Sequence, residues 1–183
     1  MRLLLIILIV LIAKQSDAQN GDTIILQPKE PGISISLTKR NIQEIIKESI
    51  DQPYKGKIIP LSKAWQTCNE DSMFYNKDTI YFCTNNNYYT YVNKKPCCNA
   101  ITWTFYEQNS FISIDDYEAC QAYSKLDSSY TKYNIEAIES NNQFYLKTCN
   151  RNKLTNKFKI VNIQLVKNYD GSEFKIVTMI RQF

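Results

Sequence analysis

The chain of 183 residues carries 22 basic and 18 acidic residues, no histidine and only four glycines. Without histidine there is no Ser-His-Asp or Cys-His triad and no histidine-ligated zinc, and the four dispersed glycines cannot build a phosphate-cradling loop. Composition instead singles out six cysteines and thirteen tyrosines.

At the start, Arg2 precedes an unbroken apolar run from Leu3 to Ala13, followed by Ser16 and Ala18 at cleavage-site spacing. The run is too short for a hydrocarbon core that needs about 20 residues. It reads as a secretory signal over residues 1–18, leaving 19–183 as one secreted domain. That predicts an extracellular location, no transmembrane anchor and an oxidising compartment. Removing residues 1–18 leaves 20 basic and 17 acidic residues. The charge is uneven. From Asn150 onward Arg151, Lys153, Lys157, Lys159, Lys167, Lys175 and Arg181 face only Asp170 and Glu173. Such a segment suits an acidic polysaccharide, membrane headgroups or an acidic partner, although a solvated sheet face would look the same.

Thr23–Leu26 reads as a short strand, and Ile33–Leu37 as a second strand or an extended lead-in to the helix. Ile42, Ile45, Ile46 and Ile50 then recur at helical spacing. Thr38 is placed as N-cap, with Leu37 and Ile42 at the staple positions, and Pro53 ends the element. The segment Lys57–Ser72 reads as irregular. From Thr79 the period becomes two. "TIYFC" and "YYTYV" form an expected hairpin, and "AITWTFY" places Ile101, Trp103 and Phe105 on one face as core. Asp115 with Glu118 predicts a capping box that opens a second helix after a strand at Phe111–Ile114. "YNIEAIES" and "QFYLKTC" flank an Asn-Asn turn. "KIVNIQLV" and "FKIVTMI" flank Asp170-Gly171, a turn signal, with Val161, Ile163 and Leu165 on one face.

An even number of cysteines in a secreted chain predicts three disulfides among Cys68, Cys83, Cys97, Cys98, Cys120 and Cys149. The adjacent pair Cys97 and Cys98 should bond to different partners, because a bridge between neighbours is strained. No CxxC pattern supports a metal site. No Asn-x-Ser/Thr sequon accompanies the eighteen asparagines.

Together these signals predict an α+β fold: a mostly antiparallel sheet or small barrel with two short helices, braced by disulfides. The order of helix then antiparallel strands is similar to a cystatin-like architecture, and the hairpins and cysteines are similar to a lipocalin-like barrel. Neither resemblance rests on a diagnostic motif, so no functional residue is carried over. The acids show no local catalytic pairing, and no enzyme activity, cofactor or metal is expected. The candidate binding residues are Tyr88, Tyr89, Tyr91, Lys94 and Lys95, since tyrosine gives broad amphipathic contact and lysine adds charge. The function expected is a secreted, non-catalytic interaction protein that binds an extracellular protein or glycan. The alternatives are a soluble carrier of a small apolar ligand and an extracellular structural or surface-coat protein. Secretion and modest charge disfavour nucleic acid.

Overall fold

The computed structural model describes residues 32–50, 63–85, 99–116, 130–168 and 171–183. The leader 1–18, the candidate residues Tyr88, Tyr89, Tyr91, Lys94 and Lys95, and Cys97, Cys98 and Cys120 lie outside them. So do Thr23–Leu26, Pro53, "YYTYV" and Glu118.

In chain order the elements are β1 (Ile33–Ser34), α1 (Lys39–Glu48), β2 (Trp65–Cys68), α2 (Met73–Asn76), β3 (Thr79–Cys83) and β4 (Ala100–Glu107). They continue with β5 (Ser110–Asp116), β6 (Tyr130–Ser140), β7 (Gln143–Asn150), β8 (Lys153–Lys167) and β9 (Glu173–Gln182). All strand pairings are antiparallel, in the order β8-β7-β6-β5-β4-β2-β3-β9, and β9 pairs back onto β8. The sheet therefore closes into an eight-stranded barrel, with β1 as a short addition beside Leu165 and Gln164 of β8. Closure removes the open edges that an antiparallel sheet otherwise exposes along its full length.

The interior is filled by rings. Phe82 lies 4.3 Å from Trp103, Trp103 lies 4.5 Å from Phe111, and Trp65 meets Phe105 edge-on at 5.0 Å, centroid to centroid. Ile101, Leu146, Phe158, Ile163 and Met179 complete the same buried cluster. The alternation in β4 therefore works as expected: Ile101, Trp103 and Phe105 all point into the core. Thr102 and Thr104, on the opposite face, are buried as well.

Helix α1 starts where the sequence places it. The Thr38 hydroxyl accepts the Asn41 N–H at 3.0 Å, satisfying one of the donors that a helix start leaves unpaired. Its stripe of Ile42, Ile45 and Ile46 joins the barrel cluster. The helix ends at Glu48, earlier than Pro53 implies. Ser49 Oγ donates to the Ile45 carbonyl and accepts from Trp65 Nε1, each at 2.8 Å, which ties the helix end to the core. Ile50 lies beyond the helix end, packs against the same cluster and forms a bridge to Phe105.

Several expectations are corrected. The segment around Trp65 is not irregular: it holds β2 and a 3-10 turn at Glu70–Ser72 that leads into α2. Of the two readings of Ile33–Leu37, the structure gives a two-residue β1 followed by a lead-in to α1. Asp115 does not cap a helix but lies in β5, where its carboxylate accepts from Asn69 Nδ2 and Tyr75 Oη, each at 3.3 Å. That acid joins β5 to the β2–α2 connection. Val161 does not share a face with Ile163. Ile160 pairs with Met179 and Asn162 with Thr178, leaving Val161 as an extra residue. Such a bulge resets the alternation, so Ile160 and Ile163 are buried while Val161 is 37% exposed.

Bracing by three disulfides is also overturned. Cys83 and Cys149 carry free thiols, so the six cysteines can make at most two bridges. Cys68 is disulfide-bonded, but no disulfide joins two described cysteines. Across the described barrel, cohesion comes from the hydrogen-bond ladder and the aromatic core. Cys83 is fully buried with Val166, Phe174 and Ile176 in a second apolar cluster, and burial pushes its thiol pKa up. A buried thiol of this kind is unreactive.

Candidate functional site: a basic outer face on β6, β7 and β8

The seven cations of the C-terminal segment separate in the fold. Lys167 pairs with Glu173 at 3.2 Å, and Lys175 with Glu48 at 2.5 Å. Arg181 turns inward, 9% exposed, between the rings of Phe74 and Phe158 at 5.0 Å from each. It donates to Asn156 Oδ1 and to the Phe74 carbonyl, thereby fastening α2 to the barrel. Burial lowers its pKa from the ordinary value, and Tyr75 and Asp78 act against that shift. Arg151, Lys153, Lys157 and Lys159 remain, and among the described residues none of them forms an ion pair.

Strand register gathers these four with two further lysines. In β6 the buried Ile135 and Ala137 point inward, so Lys132, Asn134 and Glu136 point outward. Glu136 stands opposite Lys147, and Lys147 stands opposite Lys157. Tyr145 stands opposite Lys159, and Asn134 opposite Cys149. Lys132, Lys147, Lys157 and Lys159 therefore share one outer face, with Arg151 and Lys153 at its end. Glu136 is the one carboxylate that the register places in that array. Neighbouring strands are about 4.8 Å apart and alternate residues about 6.8 Å, so facing pairs such as Lys147 and Lys157 leave the sheet close together.

The β7–β8 turn gives this face a concavity. Arg151 and Asn152 adopt left-handed backbone, φ 48° and 66°, as tight hairpin turns require. A bulge after Thr148 follows, and Thr155 Oγ1 donates to the Thr148 carbonyl at 2.8 Å. Between this turn and β6 lies an open groove of about 1010 Å³. Lys132, Arg151 and Lys153 supply its charge, Tyr106 and Tyr133 its aromatic surface, and Asn134 and Asn150 its amides. Cys149 also lines it, half-buried with a free thiol. Tyr133 is held by stacking on Phe111 at 5.3 Å, and the Lys157 ammonium sits 4.3 Å from the Tyr145 ring centroid.

Lys132 and Lys147 fall outside the C-terminal count. The signal for them was alternation: Lys132 and Asn134 bracket the inward Tyr133, and Lys147 follows Leu146. Among the described residues no cluster of three or more His, Cys, Asp or Glu side chains could hold a metal. No described helix is long and apolar enough to cross a membrane. Comparison of the chain with protein-family models, with curated proteins and with solved structures finds no match.

Proposed function

We propose that the protein is a secreted, non-catalytic binding protein whose basic outer face on β6, β7 and β8 engages an acidic glycan. The observation that carries this reading is the directly opposed pair Lys147 and Lys157. Like charges at facing positions cost about 0.2–1 kcal/mol, and an acid at either position would relieve the repulsion. Four more unpaired cations extend the same surface. A face kept basic at a cost to stability is suited to a polyanion that neutralises it on binding.

Chemistry favours a glycan as the polyanion. Tyr106 and one side of the half-buried Tyr133 line the groove as aromatic surface for a sugar, and Asn134 and Asn150 offer paired donors and acceptors to its hydroxyls. The face's exposed large apolar side chains among the described residues, Leu154 and Val161, stand seven residues apart on β8 rather than forming the clustered anchor that dominates protein–protein interfaces. The ring contacts among Trp65, Phe82, Trp103 and Phe111 weigh against the carrier alternative, which needs an enclosed cavity of about 300 Å³ or more.

Retention on an immobilised sulfated polysaccharide, compared with neutral dextran, tests the reading. The native chain elutes at higher salt than expected from its net charge, and Lys157→Gln/Lys159→Gln elutes markedly earlier with unchanged circular dichroism. Equal elution of the two would refute the assignment of this face.

A further inference from the structure

Among the described residues, one segment of β6 has no strand partner on its β5 side. Strand β5 pairs with β6 only as far as Ser110 opposite Asn134, and the β4–β5 hairpin ends there, with the Asn109 carbonyl accepting the Ile135 N–H at 2.8 Å. β6 continues to Ser140. Backbone groups alternate sides along a strand, so the direction of the Ile135 N–H fixes that of Ala137 and Glu139: both point away from β7. Among the described residues neither makes a hydrogen bond on that side. An unpaired edge of this kind is a template for another strand.

Beside the edge lies a groove of about 470 Å³, walled by Lys39, Gln43 and Ile46 of α1 and by Gln108 and Asn109 of the hairpin tip. Glu107, Glu136 and Glu139 are exposed around it and form no ion pair among the described residues. Two copies paired along this edge would bring their carboxylates together, which opposes self-association.

We infer that this edge is a strand-addition site for an extended basic peptide, seated between β6 and α1. Its backbone would pair with the free N–H and C=O groups of Ala137 and Glu139, alternate side chains would enter the groove, and its lysines would meet Glu107 and Glu139. Main-chain bonds supply the affinity in this mode of recognition, and side chains supply the selectivity. Glu136 borders both this site and the basic face, which share no other residue.

The probe is a capped, dye-labelled nonapeptide, Lys-Thr-Lys-Val-Lys-Val-Lys-Thr-Lys, followed by anisotropy on the full secreted chain. Glu139→Pro deletes one free edge donor and no ladder bond, since proline is tolerated on exposed edges. It should raise the Kd at least 10-fold while the melting temperature stays within a few degrees. Glu139→Gln, which keeps the donor, should raise it about threefold. Lys157→Gln/Lys159→Gln should not change it. If Glu139→Pro does not fold, a probe N-methylated at alternate residues on the native chain replaces it and should bind at least 10-fold more weakly. Absence of binding to the native chain, or equal binding by Glu139→Pro and by the methylated probe, would overturn the inference. So would a dimer in sedimentation that Glu139→Pro dissolves, because the edge would then serve a second copy.

Discussion

Replacing Phe82 with alanine removes a fully buried ring from the centre of the barrel. The ring lies 4.3 Å from Trp103, 6.1 Å from Phe74 and 6.2 Å from Trp65, centroid to centroid. Phe→Ala in a packed core costs about 3–5 kcal/mol, because lost transfer energy is joined by a cavity term. Each well-placed aromatic pair adds about 0.5–1.5 kcal/mol beyond burial. With three ring neighbours, the expected loss sits near the top of the range, about 4–5 kcal/mol. A domain of this size has roughly 5–15 kcal/mol in total, so the variant should fold but marginally. Urea denaturation followed by tryptophan fluorescence reads the change. With a slope of about 2 kcal/mol per molar, the midpoint should fall by about 2 M. Phe82→Leu should lose much less, since it keeps most of the volume. A loss below about 1 kcal/mol for Phe82→Ala would refute the close-packed interior. It would mean that the rings surround free space, the arrangement a carrier requires.

Other outcomes follow from the same structure. Arg181→Met leaves Asn156 Oδ1 and the Phe74 carbonyl without their donor, so thermal unfolding should report a loss of about 2 kcal/mol. A gain in stability would instead show that desolvation of the guanidinium outweighs its bonds. Burial raises the Cys83 thiol pKa in the folded chain, so its contribution to stability is complete below the ordinary thiol pKa of about 8.5 and falls as pH rises above it. Between about pH 8.5 and 10 the native protein should lose up to ~1.4 kcal/mol per pH unit relative to Cys83→Ala; parallel pH profiles would contradict this. Alkylation without reductant, read by peptide mapping, should label Cys149 in the native protein and Cys83 only in denaturant. Prompt native labelling of Cys83 would contradict its burial.

The parts of this fold legible in the sequence are those set by local chemistry. Thr38 marks the start of α1, Ile42, Ile45 and Ile46 mark its inner face, and alternation in β4 marks the core. Asn141 and Asn142 announce the β6–β7 turn, and both adopt positive φ, 52° and 56°. What could not be read depends on partners distant in sequence. Asp115 looks like a cap, yet its carboxylate is taken by Asn69 and Tyr75, about forty residues away. The bulge at Val161 has no local signal, because only pairing with β9 shows the extra residue. The even cysteine count favours complete pairing, but it carries no information about distance. Closure places Cys83 against Ile176 and Cys149 beside Asn134, and both remain thiols. The basic face was half visible. A clustering of cations was plain in the sequence, but the register was needed to remove Lys167, Lys175 and Arg181 from the array and to add Lys132 and Lys147.

The central claim is that one outer face of the barrel receives an acidic glycan. Amide chemical-shift mapping of the isotope-labelled protein, titrated with a defined sulfated hexasaccharide, tests it most directly. The account predicts saturable shifts centred on Lys132, Lys147, Arg151, Lys157 and Lys159, weakening steeply as salt is raised. Shifts confined to β2, β3 and β4, or none at saturating oligosaccharide, would contradict it.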